Sequence, residues 1–565
     1  MRLQGRSIVD GAASGQLLFS NTALSFWGGV DSQTGTIVDR HHPLHGTSIN
    51  GRLLAIPTSR GSCSGSTVLV ELLLNGCAPA GLIFQELEQI ITLGAIVGRA
   101  LFEKSIPVLV LEGDDFTTLG SESFGAITGS IIETSGSLLS APTSVPESCR
   151  TSGIELTEDD RNTLIGNRGS AAKMAMQILL DFSELQGARQ LLDVSRAHID
   201  ACIYTGPASL RIPQLLLDMG ARVAVPTTLN SISVDQRRWK EIGMDPELAA
   251  QAGELAESYL SMGATPSFTC APYLLDSAPD GGENIGWAES NAVVFANSVL
   301  GARTQKYPDL IDVCIALTGR VPLAGSHSYE GRLPSVLVDI AKLPRVDDSL
   351  YPLLGYHIGK LVGGNIPFVC GLDDVTPNRS DLKAFSAAFA TTASAPMFHI
   401  RGLTPEAKSL GLQNLKRIHV DHMDLLNSWH ELNTARDPSV GLISLGNPHF
   451  SLEEFDQLAQ LCSGRKKNPG VKMMITSGRE IYQRASTAGF IRPLQEFGAL
   501  IVTDTCWCML GEPVVPRDIR NIMTNSAKYA HYAPGMVNRG VHFGSLAQCV
   551  DTCCTGAFDS KASLR

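Results

Sequence analysis

Short apolar runs bounded by turn residues alternate with helical segments along most of this sequence, and this alternation limits the fold more than any other feature. Residues 221–225 (ARVAV) form one such run, and residues 246–262 form one such helical segment. Repeated strand-then-helix units towards the C-terminus predict an α/β region. Its first helix should begin after Thr157, a suitable N-cap followed by acidic residues at 158–160.

The first 125 residues have a different character and predict a small β-rich unit. Residues 52–57, 80–84 and 106–111 are short apolar runs typical of strands. Residues 66–76 lie between the first two runs, and they favour a buried helix that ends at Gly76. Residues 134–152 are rich in Ser, Thr and Pro and predict a linker.

These patterns divide the chain into a small domain at 1–133, a linker at 134–152 and a large α/β region at 153–565. The chain has 565 residues, whereas single cores stop growing near roughly 250–300 residues. We therefore expect roughly three or four domains in total, with two or three of them in the large region.

Composition excludes several classes of protein. The net charge of −11 and the lack of any run of five basic residues argue against a nucleic-acid partner. No stretch of 18 apolar residues is present, so no membrane span is expected. The N-terminus lacks an apolar signal segment, and 13 cysteines in such a chain fit a reducing, cytoplasmic location.

A glycine-rich turn at residues 58–66 (TSRGSCSGS) joins a predicted strand to a predicted helix. Backbone N–H groups and the helix dipole at such a turn attract an anion. The lysine of a Walker phosphate loop is missing. Ser62 could act as a base here if the turn and Arg60 stabilise its alkoxide, and a plain helix-capping turn is the alternative.

The cysteines are scattered, and no CxxC pair occurs, which excludes zinc knuckles and bacterial ferredoxin patterns. Cys270, Cys370 and Cys506 each end an apolar run, as expected for sites at the carboxyl ends of strands. Cys508 would face away from Cys506 if both lay on a strand. The alternative for each cysteine is a small buried hydrophobic side chain.

Several of these segments together resemble the aconitase X family. The resemblance to its large subunit rests on residues 226–230 (PTTLN), 270–273 (CAPY), 287–304 (WAESNAVVFANSVLGART), 501–506 (IVTDTC) and 543–546 (FGSL). Residues 60–66 (RGSCSGS) resemble its small subunit, so the two parts are fused here with the small part first.

The resemblance implies an aconitase-like α/β fold in which a small swivelling domain supplies a serine base, Ser62, and the large part supplies three iron ligands. Fused members of the family dehydrate cis-3-hydroxy-L-proline and carry an iron–sulfur cluster, which predicts a 2Fe-2S cluster here. A mononuclear iron or another cluster type is the alternative. Archaeal two-subunit members dehydrate mevalonate 5-phosphate.

One position departs from the archaeal pattern, which has a cysteine where this chain has Asn447, in residues 446–449 (GNPH). The departure favours the hydroxyproline branch. It also requires a third ligand from elsewhere, and Cys370 is predicted to join Cys270 and Cys506.

The predicted reaction has iron activating the 3-hydroxyl group while Ser62 takes the C2 proton from the opposite ring face, giving 1-pyrroline-2-carboxylate. Substrate contacts are predicted for a set of polar side chains that could stabilise the developing charge: Ser209, Asn291, Arg303, His449 and Arg479. Glu289 and Asn291 are expected to support the metal ligands through hydrogen bonds.

Two other functions stay open from the sequence. One is dehydration of another small hydroxy acid such as mevalonate 5-phosphate, and the other is a non-catalytic iron-responsive binding protein. The acidic charge disfavours the second. The expected partner is a small hydroxy acid, bound by a monomer or a small homo-oligomer.

Overall fold

The structure is a computed structural model that describes residues 1–39, 42–60, 63–137, 153–343, 347–373 and 375–559. The predicted linker therefore lies largely outside the described residues. The chain separates into two compact units, each built from several segments. The first comprises Met1–Asp193, Thr205–Val225 and Tyr307–Ala324, and the second comprises Val194–Tyr204, Pro226–Lys306 and Gly325–Arg565.

Strands and helices follow one another along the chain as the alternation predicts. The strands are β1 (Arg2–Gln4), β2 (Arg6–Val9), β3 (Ala12–Phe19), β4 (Val30–Asp31), β5 (Thr36–Ile37), β6 (Leu53–Ile56), β7 (Gly81–Phe84), β8 (Val108–Val110), β9 (Phe124–Thr128), β10 (Ile131–Ser135), β11 (Leu191–Asp193), β12 (Ala197–Ile199), β13 (Thr227–Leu229), β14 (Gly286–Trp287), β15 (Arg320–Pro322), β16 (Val336–Ile340), β17 (Pro367–Cys370), β18 (His399–Ile400), β19 (Lys416–Val420), β20 (Leu442–Leu445), β21 (Lys472–Ser477), β22 (Ala499–Thr503), β23 (Asn521–Thr524) and β24 (Gly540–Phe543).

The helices are α1 (Gly65–Asn75), α2 (Ile90–Phe102), α3 (Gly113–Thr118), α4 (Glu158–Ile165), α5 (Ser170–Leu185), α6 (Pro207–Asp218), α7 (Pro246–Ser261), α8 (Ser290–Phe295), α9 (Ile311–Thr318), α10 (Leu350–Val362), α11 (Arg379–Thr392), α12 (His422–Leu432), α13 (Leu452–Cys462), α14 (Arg479–Thr487), α15 (Ile491–Phe497), α16 (Ala527–Met536) and α17 (Leu546–Thr555). Within the described ranges, no helix is long and apolar enough to cross a membrane.

The first unit contains a mixed sheet with the strand order β1-β10-β9-β3-β6-β7-β8-β2. Its strands β6, β7 and β8 confirm the three predicted apolar strands, and α1 confirms the predicted buried helix. Gly76 ends α1 in the left-handed region with φ of 70°, a conformation that favours glycine. The predicted Thr157 cap is also confirmed, because Thr157 and Asp160 form a capping box at α4.

One predicted strand is wrong. Residues 221–225 are irregular, and the Ala224 N–H donates to the Ala316 carbonyl of α9 at 2.7 Å. The run therefore docks on a helix instead of joining a sheet. The helical segment predicted after it is confirmed as α7, which Asp245 caps through the N–H groups of Glu247 and Leu248.

The second unit is organised around two parallel sheets, with strand orders β18-β17-β16-β19 and β22-β21-β20-β23-β24. Strands such as β17, β20 and β23 are buried at every residue, as expected when helices cover both faces of a parallel sheet. In the second of these sheets, the chain direction across the sheet reverses between β20 and β23. Ligands of such sheets bind at this switch point, beyond the carboxyl ends of the strands.

Candidate active site

The loops that follow β20 and β23 meet at the switch point. Gly446 begins the first loop with φ of 92°, and a Cβ there would lie 2.1 Å from the Thr476 carbonyl oxygen. Only glycine fits that position without displacing the backbone. In the second loop, the Ser526 hydroxyl donates a short hydrogen bond to the Asn447 carbonyl. Glycine and serine thereby fix Asn447 at the centre of the switch point.

Three cysteines come together beside Asn447. The Cys506 thiol lies next to the thiols of Cys270 and Cys508, and Cys270 and Cys506 are 3% and 7% exposed. The expectation that Cys508 faces away from Cys506 is wrong, because the strand ends at Thr503 and Trp507–Met509 form a 3₁₀ turn. We call Cys270, Cys506 and Cys508 the cysteine cluster.

The loop that carries Cys270 and the loop that carries Cys506, which we call the two outer loops of the cluster, share one local pattern. Cys270 follows Phe268 and Thr269, and Cys506 follows Asp504 and Thr505. Phe268 and Asp504 both have positive φ, 39° and 68°, although neither is glycine. Backbone strain of this kind persists only where neighbouring groups hold it.

His449 and Arg479 supply that support. The His449 ring is fully buried and lies 3.0 Å from the Thr269 hydroxyl and 2.8 Å from the Thr505 carbonyl. Arg479 donates to both carboxylate oxygens of Asp504, at 2.5 and 2.7 Å, and its guanidinium lies 4.8 Å from the Phe268 ring centroid. Both residues were predicted to contact substrate, but here their polar atoms brace the two loops.

Amide groups donate hydrogen bonds to the sulfur atoms from the same loop. The Asn447 side-chain amide donates to Cys508 Sγ at 3.2 Å, and the His449 main-chain N–H donates to Cys270 Sγ at 3.4 Å. Such bonds stabilise thiolates and tune metal sites. Without a metal, the neighbouring Cys270 thiol raises the pKa of Cys506 to about 12, and the Cys506 thiol and burial raise the pKa of Cys508 well above its ordinary value, so these two thiols are protonated near neutral pH.

The cluster fits a sulfur-bound iron group through its donors. The cluster offers three cysteine thiols, two of them buried and two of them accepting amide hydrogen bonds, and thiols are the ligand type that iron–sulfur groups require. In the part of the chain that the structure describes, no group of three or more His, Cys, Asp or Glu side chains has the spacing of a ready-made ion site. Binding of a metal by these residues would require their thiolate forms, so it would release protons.

A buried ion pair lies next to the cluster. Lys528 Nζ donates to Glu289 Oε1 at 3.0 Å, and each side chain is 12% exposed. Burial alone would raise the pKa of Glu289, but Lys528 holds it at about 2. Burial lowers the pKa of Lys528, yet the Glu289 carboxylate outweighs this effect and raises it well above its ordinary value. Both groups are therefore charged.

Asn291 connects this ion pair to the cluster. Its amide nitrogen donates to Glu289 at 2.6 Å and to the Cys270 carbonyl at 3.0 Å, and its oxygen accepts from the Tyr273 hydroxyl at 2.8 Å. The predicted supporting role of Glu289 and Asn291 agrees with these contacts. Each polar atom of Asn291 is occupied by protein, which favours positioning over substrate contact.

Cys370, the predicted third ligand, lies elsewhere. It ends β17 and packs with Leu337, Phe368 and Ala407. Burial raises the pKa of its thiol, and no cysteine is among these described neighbours. The geometry brings Cys508, and not Cys370, to Cys270 and Cys506.

Two further predicted residues are also outside the cluster. Ser209 belongs to the first unit, where its hydroxyl donates to the Gly206 carbonyl at 2.7 Å at the start of α6. Arg303 Nη1 donates to the His327 carbonyl at 3.0 Å, and its Nε is buried without a hydrogen-bond partner among the described residues. Neither contact involves a cluster cysteine.

Ser62, the predicted base, lies outside the described residues. Helix α1 begins three residues later, and the Ser66 hydroxyl donates to the Asp309 carbonyl at 3.0 Å. Arg60, on the other side, pairs with Asp39 at 2.6 Å. The turn therefore has the strand-to-helix context that the sequence predicts.

Sequence reasoning missed Lys528 entirely and set Cys508 aside. A signal for Cys508 existed in the Cys-Trp-Cys spacing of residues 506–508. Lys528 carried only a weak signal, its place just after β23, because its partner Glu289 is 239 residues away in sequence.

Comparison with known proteins covers nearly the whole chain. Four family models match: Aconitase X swivel domain at 2–134, first domain at 153–330, second domain at 334–430 and third domain at 440–555. A cis-3-hydroxy-L-proline dehydratase of Hypocrea jecorina is 51% identical over 99% of this chain and 96% of its own. A cis-3-hydroxy-L-proline dehydratase of Pseudomonas aeruginosa is 52% identical over 98% of this chain and 96% of its own length.

A solved structure matches the fold of the larger part. The crystal structure of Thermococcus kodakaraensis aconitase X in its holo-form aligns with a TM-score of 0.65 and 29% identity. It covers 71% of this chain and 100% of that chain. The α/β fold with an N-terminal swivel domain, predicted from the sequence, agrees with these matches.

Proposed function

The chain belongs to the aconitase X family, and we propose that it is a hydro-lyase that converts cis-3-hydroxy-L-proline to 1-pyrroline-2-carboxylate. Two relatives named for this activity are 51% and 52% identical over nearly the full length. The observation that supports the proposal is the cysteine cluster at the switch point, because it gathers thiols, which are iron ligands, where α/β sheets bind ligands.

An iron–sulfur group, of the 2Fe-2S type, would be held by Cys270, Cys506 and Cys508. When bound, it supplies a Lewis acid for the 3-hydroxyl group of the substrate. Three protein ligands leave room for substrate, whereas a fourth would favour electron transfer. The hydrogen bonds from Asn447 and His449 support two of the three sulfurs as thiolates.

The proton acceptor in this proposal is Ser62. In cis-3-hydroxy-L-proline the hydroxyl and carboxylate share a ring face, so the C2 proton lies on the face opposite the leaving group. Elimination therefore needs a base on the side away from the metal. The enamine that forms tautomerises to 1-pyrroline-2-carboxylate.

A substrate panel tests the reaction. The purified enzyme is assayed anaerobically against cis-3-hydroxy-L-proline, its trans isomer and mevalonate 5-phosphate. We expect turnover of the first alone, and no turnover of it would refute the substrate. Ser62→Ala should lose about 100-fold or more in kcat while it keeps its iron, whereas Ser64→Ala, in the same turn, serves as the matched control.

Iron and sulfide stoichiometry, with electron paramagnetic resonance, tests the metal ligands. Serine substitutions of Cys270, Cys506 and Cys508 should each lower the iron content. Cys370→Ser should keep it, as should Cys462→Ser, a buried thiol at the end of α13. Loss of iron in Cys370→Ser with full iron in Cys508→Ser would reverse the assignment.

A further inference from the structure

Lys528 is a buried cation with donor capacity to spare. Its side chain is 12% exposed, and in the described part of the chain its Nζ donates one hydrogen bond, to Glu289. An ammonium group carries three donors. Two N–H groups are therefore left for a ligand in a region where unpaired polar groups are costly.

Another buried lysine of the same unit shows the contrast. Lys383 is 2% exposed and pairs with Glu454, and its Nζ also donates to the carbonyls of His449 at 2.9 Å and Pro448 at 3.5 Å. All three of its donors are used by protein. The protein therefore occupies every N–H donor of Lys383, whereas two N–H donors of Lys528 have no partner among the described residues.

Two chains of hydrogen bonds place Lys528 beside the cysteine cluster. On one side, Glu289 bonds to Asn291, which bonds to the Cys270 carbonyl. On the other side, Ser526, two residues before Lys528, bonds to Asn447, which bonds to Cys508 Sγ. Lys528 thus lies at the switch point between the ends of β20 and β23.

The reaction needs a cation there, and neither predicted arginine supplies it, because Arg303 donates to the His327 carbonyl without contacting a cluster cysteine among the described residues. The overall step breaks C2–H and C3–O, forms a C2–C3 double bond and releases the proton and hydroxide as water. Negative charge grows on the carboxylate as C2 loses its proton. Arg479 was predicted to stabilise that charge, but its guanidinium already donates hydrogen bonds to both carboxylate oxygens of Asp504.

We propose that the Lys528 ammonium, oriented by Glu289 beside the cysteine cluster, hydrogen-bonds to the carboxylate of the substrate. This inference rests on the proposed function for the identity of the substrate. Lys528 is then a substrate-binding residue whose contact strengthens as C2 is deprotonated, so it contributes to both KM and kcat.

Binding and kinetics of four variants test the role. Lys528→Met removes the charge at similar length, Lys528→Met/Glu289→Gln also removes the carboxylate left unpaired, and Lys528→Arg restores a cation. Lys383→Met is the matched control for loss of a buried lysine. Calorimetry measures the affinity of each iron-loaded protein for L-proline and for L-prolinamide, which lacks the carboxylate charge.

We expect the wild-type protein to prefer L-proline, and Lys528→Met and the double variant to lose roughly 10- to 100-fold of that preference, as for one hydrogen bond to a charged group. Their kcat/KM for cis-3-hydroxy-L-proline should fall at least as much, with partial rescue in Lys528→Arg. Lys383→Met should unfold more easily yet keep the preference.

The proposal is overturned if Lys528→Met keeps the preference for L-proline, or if the double variant regains wild-type kcat/KM. It is also overturned if both lose their iron, since the lysine would then serve assembly of the metal site. Failure of the wild-type enzyme to turn over cis-3-hydroxy-L-proline would refute the proposed function instead, and the carboxylate preference would still report on Lys528 separately.

Discussion

Removing the His449 ring should loosen both outer loops of the cysteine cluster. The ring is fully buried, and burial lowers its pKa to about 4, so it is neutral near pH 7. In that form one nitrogen donates to the Thr505 carbonyl at 2.8 Å, and the other accepts from the Thr269 hydroxyl at 3.0 Å. Each partner directly precedes a cluster cysteine.

The size of the effect follows from those two bonds. His449→Leu removes both, leaving the buried Thr505 carbonyl without a partner and the Thr269 hydroxyl with only the hydrogen bond it accepts from the Ala271 N–H, at about 1–3 kcal/mol each. We expect a loss of about 2–5 kcal/mol in the free energy of unfolding, a large part of the roughly 5–15 kcal/mol of a typical domain. His449→Gln retains a side-chain N–H for Thr505 and should recover about half of the loss.

Urea unfolding of the iron-free protein under reducing conditions measures this effect without the contribution of bound metal. Iron content and dehydratase activity after reconstitution are measured in parallel, and both should fall in His449→Leu. His430→Leu, the same change at an exposed position, should stay within about 0.5 kcal/mol of wild type.

Two results would refute this reasoning. Unfolding of His449→Leu within about 0.5 kcal/mol of wild type would show that the two bonds do not brace the loops. A destabilised variant that still takes up full iron would show that bracing does not matter to the metal site.

Three further substitutions test other features. Partial desolvation raises the pKa of Asp348 to about 6 although the residue is exposed, so its charge lowers stability as the pH rises from 4 to 6, and Asp348→Asn should add less than about 1 kcal/mol at pH 8 and little at pH 4 in urea unfolding. Burial lowers the pKa of His327 to about 3, and Arg332 and Arg303 contribute to this shift. The folded protein therefore keeps His327 neutral, and it loses stability as the pH falls below 6.5 because the unfolded chain takes up a proton there. His327→Gln should reduce that loss by about 1.4 kcal/mol per pH unit between pH 6.5 and 4. Gly446→Ala would place a Cβ 2.1 Å from the Thr476 carbonyl oxygen, so it should lower the free energy of unfolding by more than about 2 kcal/mol and also lower the iron content. The control is Gly464→Ala, where φ is positive but the space around the Cβ is open, and it should lower the free energy of unfolding by only about 1 kcal/mol.

The fold was largely predictable because its signals are local. Apolar runs and caps identified β6, β7, β8, α1 and α4, since a strand or a capped helix is specified by its own residues. Residues 221–225 are the exception, because the strand predicted there is irregular in the structure. Their Ala224 N–H bonds to a carbonyl of α9, and a five-residue run does not reveal whether its partner is a sheet or a helix.

The site was predictable where the sequence carried a motif. Cys270 and Cys506 were predicted as ligands, and the structure brings them together. Cys508 was set aside because alternation along a strand was extended past Thr503, where β22 ends. Lys528 carried only a weak signal, because its partner Glu289 is distant in sequence and close in space.

His449 and Arg479, which were predicted to contact substrate, hydrogen-bond to the loops of the cysteine cluster for a physical reason. A metal site needs ligands fixed within a fraction of an ångström, and that precision comes from surrounding hydrogen bonds. Phe268 and Asp504 hold strained conformations next to two cluster cysteines, so they require supports of their own. Arg479 and His449 provide this support through their hydrogen bonds and ring contact with the two loops. Polar residues near such a site are thus mostly engaged by the fold, and a group left with unused donors, such as Lys528, is the better candidate for contact with substrate.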